Sequence, residues 1–89
     1  MGIREDILLS LKPLFEKAEK EKLWFNCSYQ NLWFSPKELK KYQEEGRFIW
    51  GVDNWTLLNP MERVTEFEKI IKTYEIEKEK FIKRIQEER

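Results

Sequence analysis

The chemically distinctive side chains of this chain lie between residues 24 and 55. Trp24, Phe25, Tyr29, Trp33, Phe34, Tyr42, Phe48, Trp50 and Trp55 place most of its aromatic rings there. Such rings fill a small core, and where they stay exposed, Trp, Tyr and Arg dominate the contacts of protein interfaces. Trp50, Trp55, Tyr42 and Arg47 are therefore the candidate partner-binding residues. Lys37, Lys40, Lys41 and Arg47 stand near the same rings in sequence, a combination that also suits the stacking of single-stranded bases beside phosphates. Glu38, Glu44 and Glu45 offset those cations. A protein partner is the main expectation and a nucleic acid the alternative.

Few residues suit catalysis. The chain has no histidine and one cysteine, Cys27, which removes Ser-His and Cys-His nucleophile pairs and imidazole bases. A lone thiol builds neither a zinc nor an iron–sulfur site, nor an internal disulfide. Among large aromatics Cys27 reads as a buried, inert thiol. The carboxylates fall mostly in mixed-charge runs, where a solvated helix face is the ordinary outcome, and Asp53 suits a turn. Gly2, Gly46 and Gly51 lack the spacing of a phosphate-binding loop. No catalytic residue, no cofactor-binding residue and no metal ligand set is expected, and the chain is not read as an enzyme.

These side chains need elements to position them. Ile7, Leu8, Leu11, Leu14, Phe15 and Ala18 recur at helical spacing after Ile3, which predicts an amphipathic helix over about 3–22. Pro13 lies inside it and should kink it; the alternative is a fresh helix capped by Ser10. Ser35-Pro36-Lys37-Glu38 has the order of cap, first-turn proline and capping-box acid, with Phe34 and Leu39 at staple positions. A short helix over 36–45 follows, which Gly46 is placed to end in the left-handed conformation. The runs 47–50 and 55–58 are β-prone and separated by Gly51-Val52-Asp53-Asn54, which predicts a hairpin pairing Trp50 with Trp55, Phe48 with Leu57 and Ile49 with Thr56. Two strands are marginal alone, so a third from 23–29 or a covering helix is required. The triplets Leu23-Trp24-Phe25 and Leu32-Trp33-Phe34 match, but three residues are too few for a repeat.

Asn59-Pro60-Met61-Glu62 opens another helix, and neither Gly nor Pro follows it. One long helix over about 60–87 is the reading, with a heptad-like stripe of Val64, Phe67, Ile71, Tyr74, Phe81 and Ile85 that Ile70 and Ile82 widen and Lys78 interrupts. The fold class is thus α+β and mostly helical, with two long amphipathic helices flanking an aromatic-rich insert, about 23–58, that holds a short helix and a β-hairpin. At about 1.5 Å per residue, the stretch from 60 to 89 would span about 45 Å, beyond the roughly 30 Å diameter of so small a domain. Tyr74, Phe81, Ile82 and Ile85 would then need a partner, so self-association as a homodimer is expected there.

Composition bounds the rest. With 89 residues, 40% of them hydrophobic and 38% charged, the chain is apolar enough to fold and small enough to count as a single domain over 1–89. Cations and acids number 17 each, so no basic excess favours nucleic acid. No membrane span or signal-peptide pattern is visible. With one cysteine, a cytoplasmic protein is expected. The function read from all this is a non-catalytic protein-interaction or adaptor module.

Overall fold

The computed structural model describes residues 2–70 and 75–88, and the backbone groups into two compact units, residues 1–58 and 59–89. The class is the expected one, helices with a small antiparallel sheet.

The first unit opens with α1 (Ile3–Glu21), a single helix through Pro13. Ser10 does not cap a second helix; its hydroxyl donates back to the Ile7 carbonyl at 2.7 Å. Leu11 and Ala18 are buried, with Ile7, Leu14 and Phe15 packed beside them, so the 3.6-residue period delivers one apolar face to the core. Ile3, at the head of that pattern, is exposed instead.

Three strands follow: β1 (Trp24–Cys27), β2 (Leu32–Phe34) and β3 (Thr56–Leu58), in the order β2-β1-β3, all neighbours antiparallel. Phe25 lies between Phe34 and Leu57, and Asn26 between Trp33 and Thr56. Alternation puts Phe25, Cys27, Phe34 and Leu57 on one face; they belong to the same core as Leu11, Ala18 and Leu39. Trp24, Asn26 and Trp33, on the other face, are also buried. Asn26 meets its polar demand by donating from Nδ2 to the Leu32 carbonyl at 3.0 Å, which braces the hairpin loop.

The hairpin is therefore β1–β2, not 47–50 with 55–58. Thr56 and Leu57 pair with Asn26 and Phe25, and residues 47–50 form no strand. The cause is local and tertiary together. Phe48 takes φ +55°, outside the extended region, while β1 offers an edge whose four residues are all buried. The two matching triplets turn out to overlap β1 and β2, paired with each other.

Between β2 and β3, α2 (Pro36–Glu44) starts as expected. The Glu38 N–H donates to Ser35 Oγ at 3.1 Å, and the Ser35 N–H donates to Glu38 Oε1 at 2.9 Å. Phe34 and Leu39 both enter the core. Ser35→Ala should lower the stability of this unit by about 0.5–2 kcal/mol; an unchanged urea midpoint would count against the cap.

The second unit begins with Asn59, whose Oδ1 accepts from the Met61 N–H at 2.9 Å. Its helices are α3 (Met61–Ile70) and α4 (Glu75–Glu87). One straight helix would hold Phe67 and Phe81 about 21 Å apart, yet their ring centroids are 6.4 Å apart. The single long helix over 60–87 is thus corrected to two helices packed on each other. Each supplies apolar cover that an extended helix would have needed from elsewhere. Arg63 lies over Phe67 at 4.3 Å and Arg84 over Phe81 at 5.2 Å. Among the described residues no helix is long and apolar enough to cross a membrane.

Candidate partner-binding surface

The end of α2 builds the candidate site. Gly46 takes φ +83°, a conformation glycine adopts without a Cβ penalty. The Gly46 N–H donates to the Gln43 carbonyl at 3.0 Å and the Arg47 N–H to the Tyr42 carbonyl at 2.9 Å, the pair of bonds that closes a helix in a Schellman motif. The chain thereby folds back, and Arg47 and Phe48 come to lie against Tyr42. Buried Gln43 then holds the returning segment: its Nε2 donates to the Phe48 carbonyl at 3.2 Å, and its own carbonyl accepts from Arg4 Nη2 at 3.0 Å. A left-handed conformation at a bulky residue such as Phe48 costs about 1–2 kcal/mol, and the Gln43 bond and surrounding rings maintain it.

The rings form one continuous string. Tyr42 and Phe48 meet edge to face at 5.5 Å, Phe48 and Trp50 at 5.4 Å, and Trp50 stacks on Trp55 at 5.4 Å with 22° between planes. Phe34 touches Tyr42 and Phe48 from below at 5.2 and 4.9 Å. Arg47 caps the string, its Cζ 4.7 Å from the Tyr42 centroid and 5.2 Å from that of Phe48. The residues singled out from sequence are thus brought together, though Trp50 and Trp55 meet through the turn at Val52–Asn54 rather than across a hairpin.

Their positions are not equivalent. Tyr42, Phe48 and Trp50 are half-buried and Arg47 is exposed, whereas Trp55 is 6% exposed and serves as the floor, against Phe25 and Phe34. Its Nε1–H has no acceptor among the described residues. Phe48, overlooked in the sequence because it read as a strand residue, is the link between Arg47 and Trp50; the signal available was its place two residues beyond Gly46. Lys40 is turned elsewhere, toward Glu19 at 3.7 Å and the Phe15 ring at 5.7 Å.

Of the other candidates, Phe81 is only 5% exposed, Ile82 and Ile85 are half-buried, and Tyr74, like Ile71, lies outside the described residues. Cys27 is buried. Among the described residues no three Asp, Glu, Cys or His side chains gather as a metal would require. Comparison of the chain with protein-family models, curated proteins and solved structures finds no match.

Proposed function

We propose that the chain is a non-catalytic protein-interaction module of the cytoplasm whose contact surface is Arg47, Tyr42, Phe48 and Trp50. The observation that carries this reading is the seating of Arg47 over two half-buried rings, one ring away from a half-buried tryptophan. Arg, Tyr and Trp are the side chains that contribute most per contact at interfaces. Here their freedom is already restricted by packing, by the Gly46 turn and by the Gln43 bond, which reduces the entropy lost on binding. Strained backbone such as that of Phe48 tends to persist at functional positions.

The nucleic-acid alternative has less support, because Lys40 lies toward Glu19 and Glu44 and Glu45 stand within three residues of Arg47. Self-association through the last helix has less support than this surface, since Phe81 is buried within the chain while Ile82 and Ile85 are half-buried.

A photo-reactive benzoylphenylalanine at exposed Val52, beside this surface in sequence, tests the proposal in the cells that make the protein. Discrete protein adducts are expected, and they should vanish when Arg47→Ala and Trp50→Ala are added in a chain whose denaturation midpoint confirms folding. Adducts indistinguishable from those of a probe at exposed Glu16 on α1, or adducts only to nucleic acid, would overturn it.

A further inference from the structure

Phe48 and Trp50 belong to a segment, residues 48–54, that has few bonds to the rest of its unit. It forms no strand. The Asn54 N–H donates to the Gly51 carbonyl at 3.0 Å and the Trp55 N–H to the Val52 carbonyl at 3.1 Å, so these bonds close a local turn and tie the segment to nothing beyond Trp55. Among the described residues, the hydrogen bond that joins it to the body is the one from Gln43 Nε2 to the Phe48 carbonyl at 3.2 Å. Side-chain packing supplies the remaining hold: Phe48 on Phe34 and Tyr42, Trp50 on Trp55, and the turn at Val52–Asn54 beside α1.

Two features oppose this closed position. Phe48 sits at φ +55°, a region that bulky L-residues rarely adopt. Trp55, on which Trp50 stacks, is 6% exposed, and its buried Nε1–H has no acceptor among the described residues, an arrangement that forfeits the hydration of a donor without replacing it. Swinging residues 48–54 outward lets Phe48 return to an ordinary negative φ, restores backbone entropy and removes the Trp50 cover from the Trp55 indole. The strand β1 differs in every respect: it is paired on both sides and all four of its residues are buried. Segments without a backbone ladder open at lower free energy than such core strands.

We infer that residues 48–54 are a strap with its own two-state equilibrium, closed over Trp55 or open to solvent while the sheet and α1 stay folded, and that Gln43 is its latch. The strap supplies Phe48 and Trp50, so its opening dismantles the contact surface without unfolding the unit. A partner that needs the closed arrangement holds the strap shut by mass action. That last consequence rests on the interaction surface proposed above; the strap itself is measured with no partner present.

The test is native-state hydrogen exchange on the full chain at rising, sub-denaturing urea. It is read by NMR at the Asn54 and Trp55 amides and the Trp55 indole Nε1–H, each as protection relative to its unstructured rate, with the slowest β1 amide as reference. The three strap signals should be protected at least about thirtyfold less than the reference, and their protection should hardly change with urea, because a local opening exposes little surface. Gln43→Met keeps the volume and deletes the donor, and it should lower strap protection about three- to tenfold. Equal protection of strap and β1 with the same steep urea dependence would overturn the strap, since residues 48–54 would then open only with the whole unit. Strap protection unchanged in Gln43→Met would overturn the latch. Loss of the Val52 cross-links beside the expected exchange pattern would remove the interaction surface and leave the strap standing; intact cross-links beside uniform protection would do the reverse.

Discussion

Phe25→Ala is expected to cost the first unit about 3–5 kcal/mol, the range for deleting a buried phenylalanine ring. Phe25 has no exposed surface. It lies on the central strand between Phe34 and Leu57, with Phe15 at 4.6 Å and Trp55 edge-on at 5.9 Å. Its neighbours belong to two strands, a helix and the floor of the candidate surface, so no one of them can collapse into the space without leaving another. A small domain has about 5–15 kcal/mol in total, and at about 4–8 °C per kcal/mol the melting temperature should fall by at least about 12 °C. Phe25→Leu, which keeps most of the volume, should cost less than about 1.5 kcal/mol. Urea titrations of both variants check this. A loss below about 1 kcal/mol for the alanine variant would contradict the central place given to this ring.

Pro13→Ala should act in the opposite direction. Pro13 is exposed inside α1, where it cannot donate to the Leu9 carbonyl and its ring crowds that oxygen. Proline in a helix interior is about 3 kcal/mol less favourable than alanine. The substitution removes no core contact, because Ile7, Leu11, Leu14, Phe15 and Ala18 supply the buried face. A gain of about 1–3 kcal/mol is expected, smaller than the full propensity difference if straightening the helix shifts those side chains on the core. A lower denaturation midpoint would mean that the core requires the local helix geometry that proline imposes.

The elements most legible in the sequence are those specified by neighbours within a turn or two. Ser35 with Glu38, Asn59 ahead of Met61, Gly46 after α2 and the helical spacing from Ile7 to Ala18 all appear as read, because a cap or a C-terminal turn is settled by backbone groups three to five residues apart. The clustering of Tyr42, Arg47, Trp50 and Trp55 was legible in part. Aromatic density located the segment, but the positive φ of Phe48, which carries the ring string past Tyr42, comes from no propensity of phenylalanine.

Strand partnership was not legible. A β-prone run shows which residues share a face and leaves its neighbour open, and the short connection from 47–50 to 55–58 favours a local hairpin on loop entropy alone. Pairing Thr56–Leu58 with Trp24–Cys27 instead closes a much longer loop, yet each doubling of loop length costs only about 0.6 kcal/mol, and a buried central strand with both edges bonded outweighs it. The same logic divides the last helix. With neither Gly nor Pro in residues 61–87, nothing local announced two helices; the approach of Phe67 to Phe81 did, since burying each aromatic side chain is worth about 1.5–3 kcal/mol. Local backbone chemistry, written residue by residue, determined where most of this protein's helices begin and which faces are apolar. Tertiary burial alone decided which of those faces meet, because its free energy depends on area shared between residues distant in the chain.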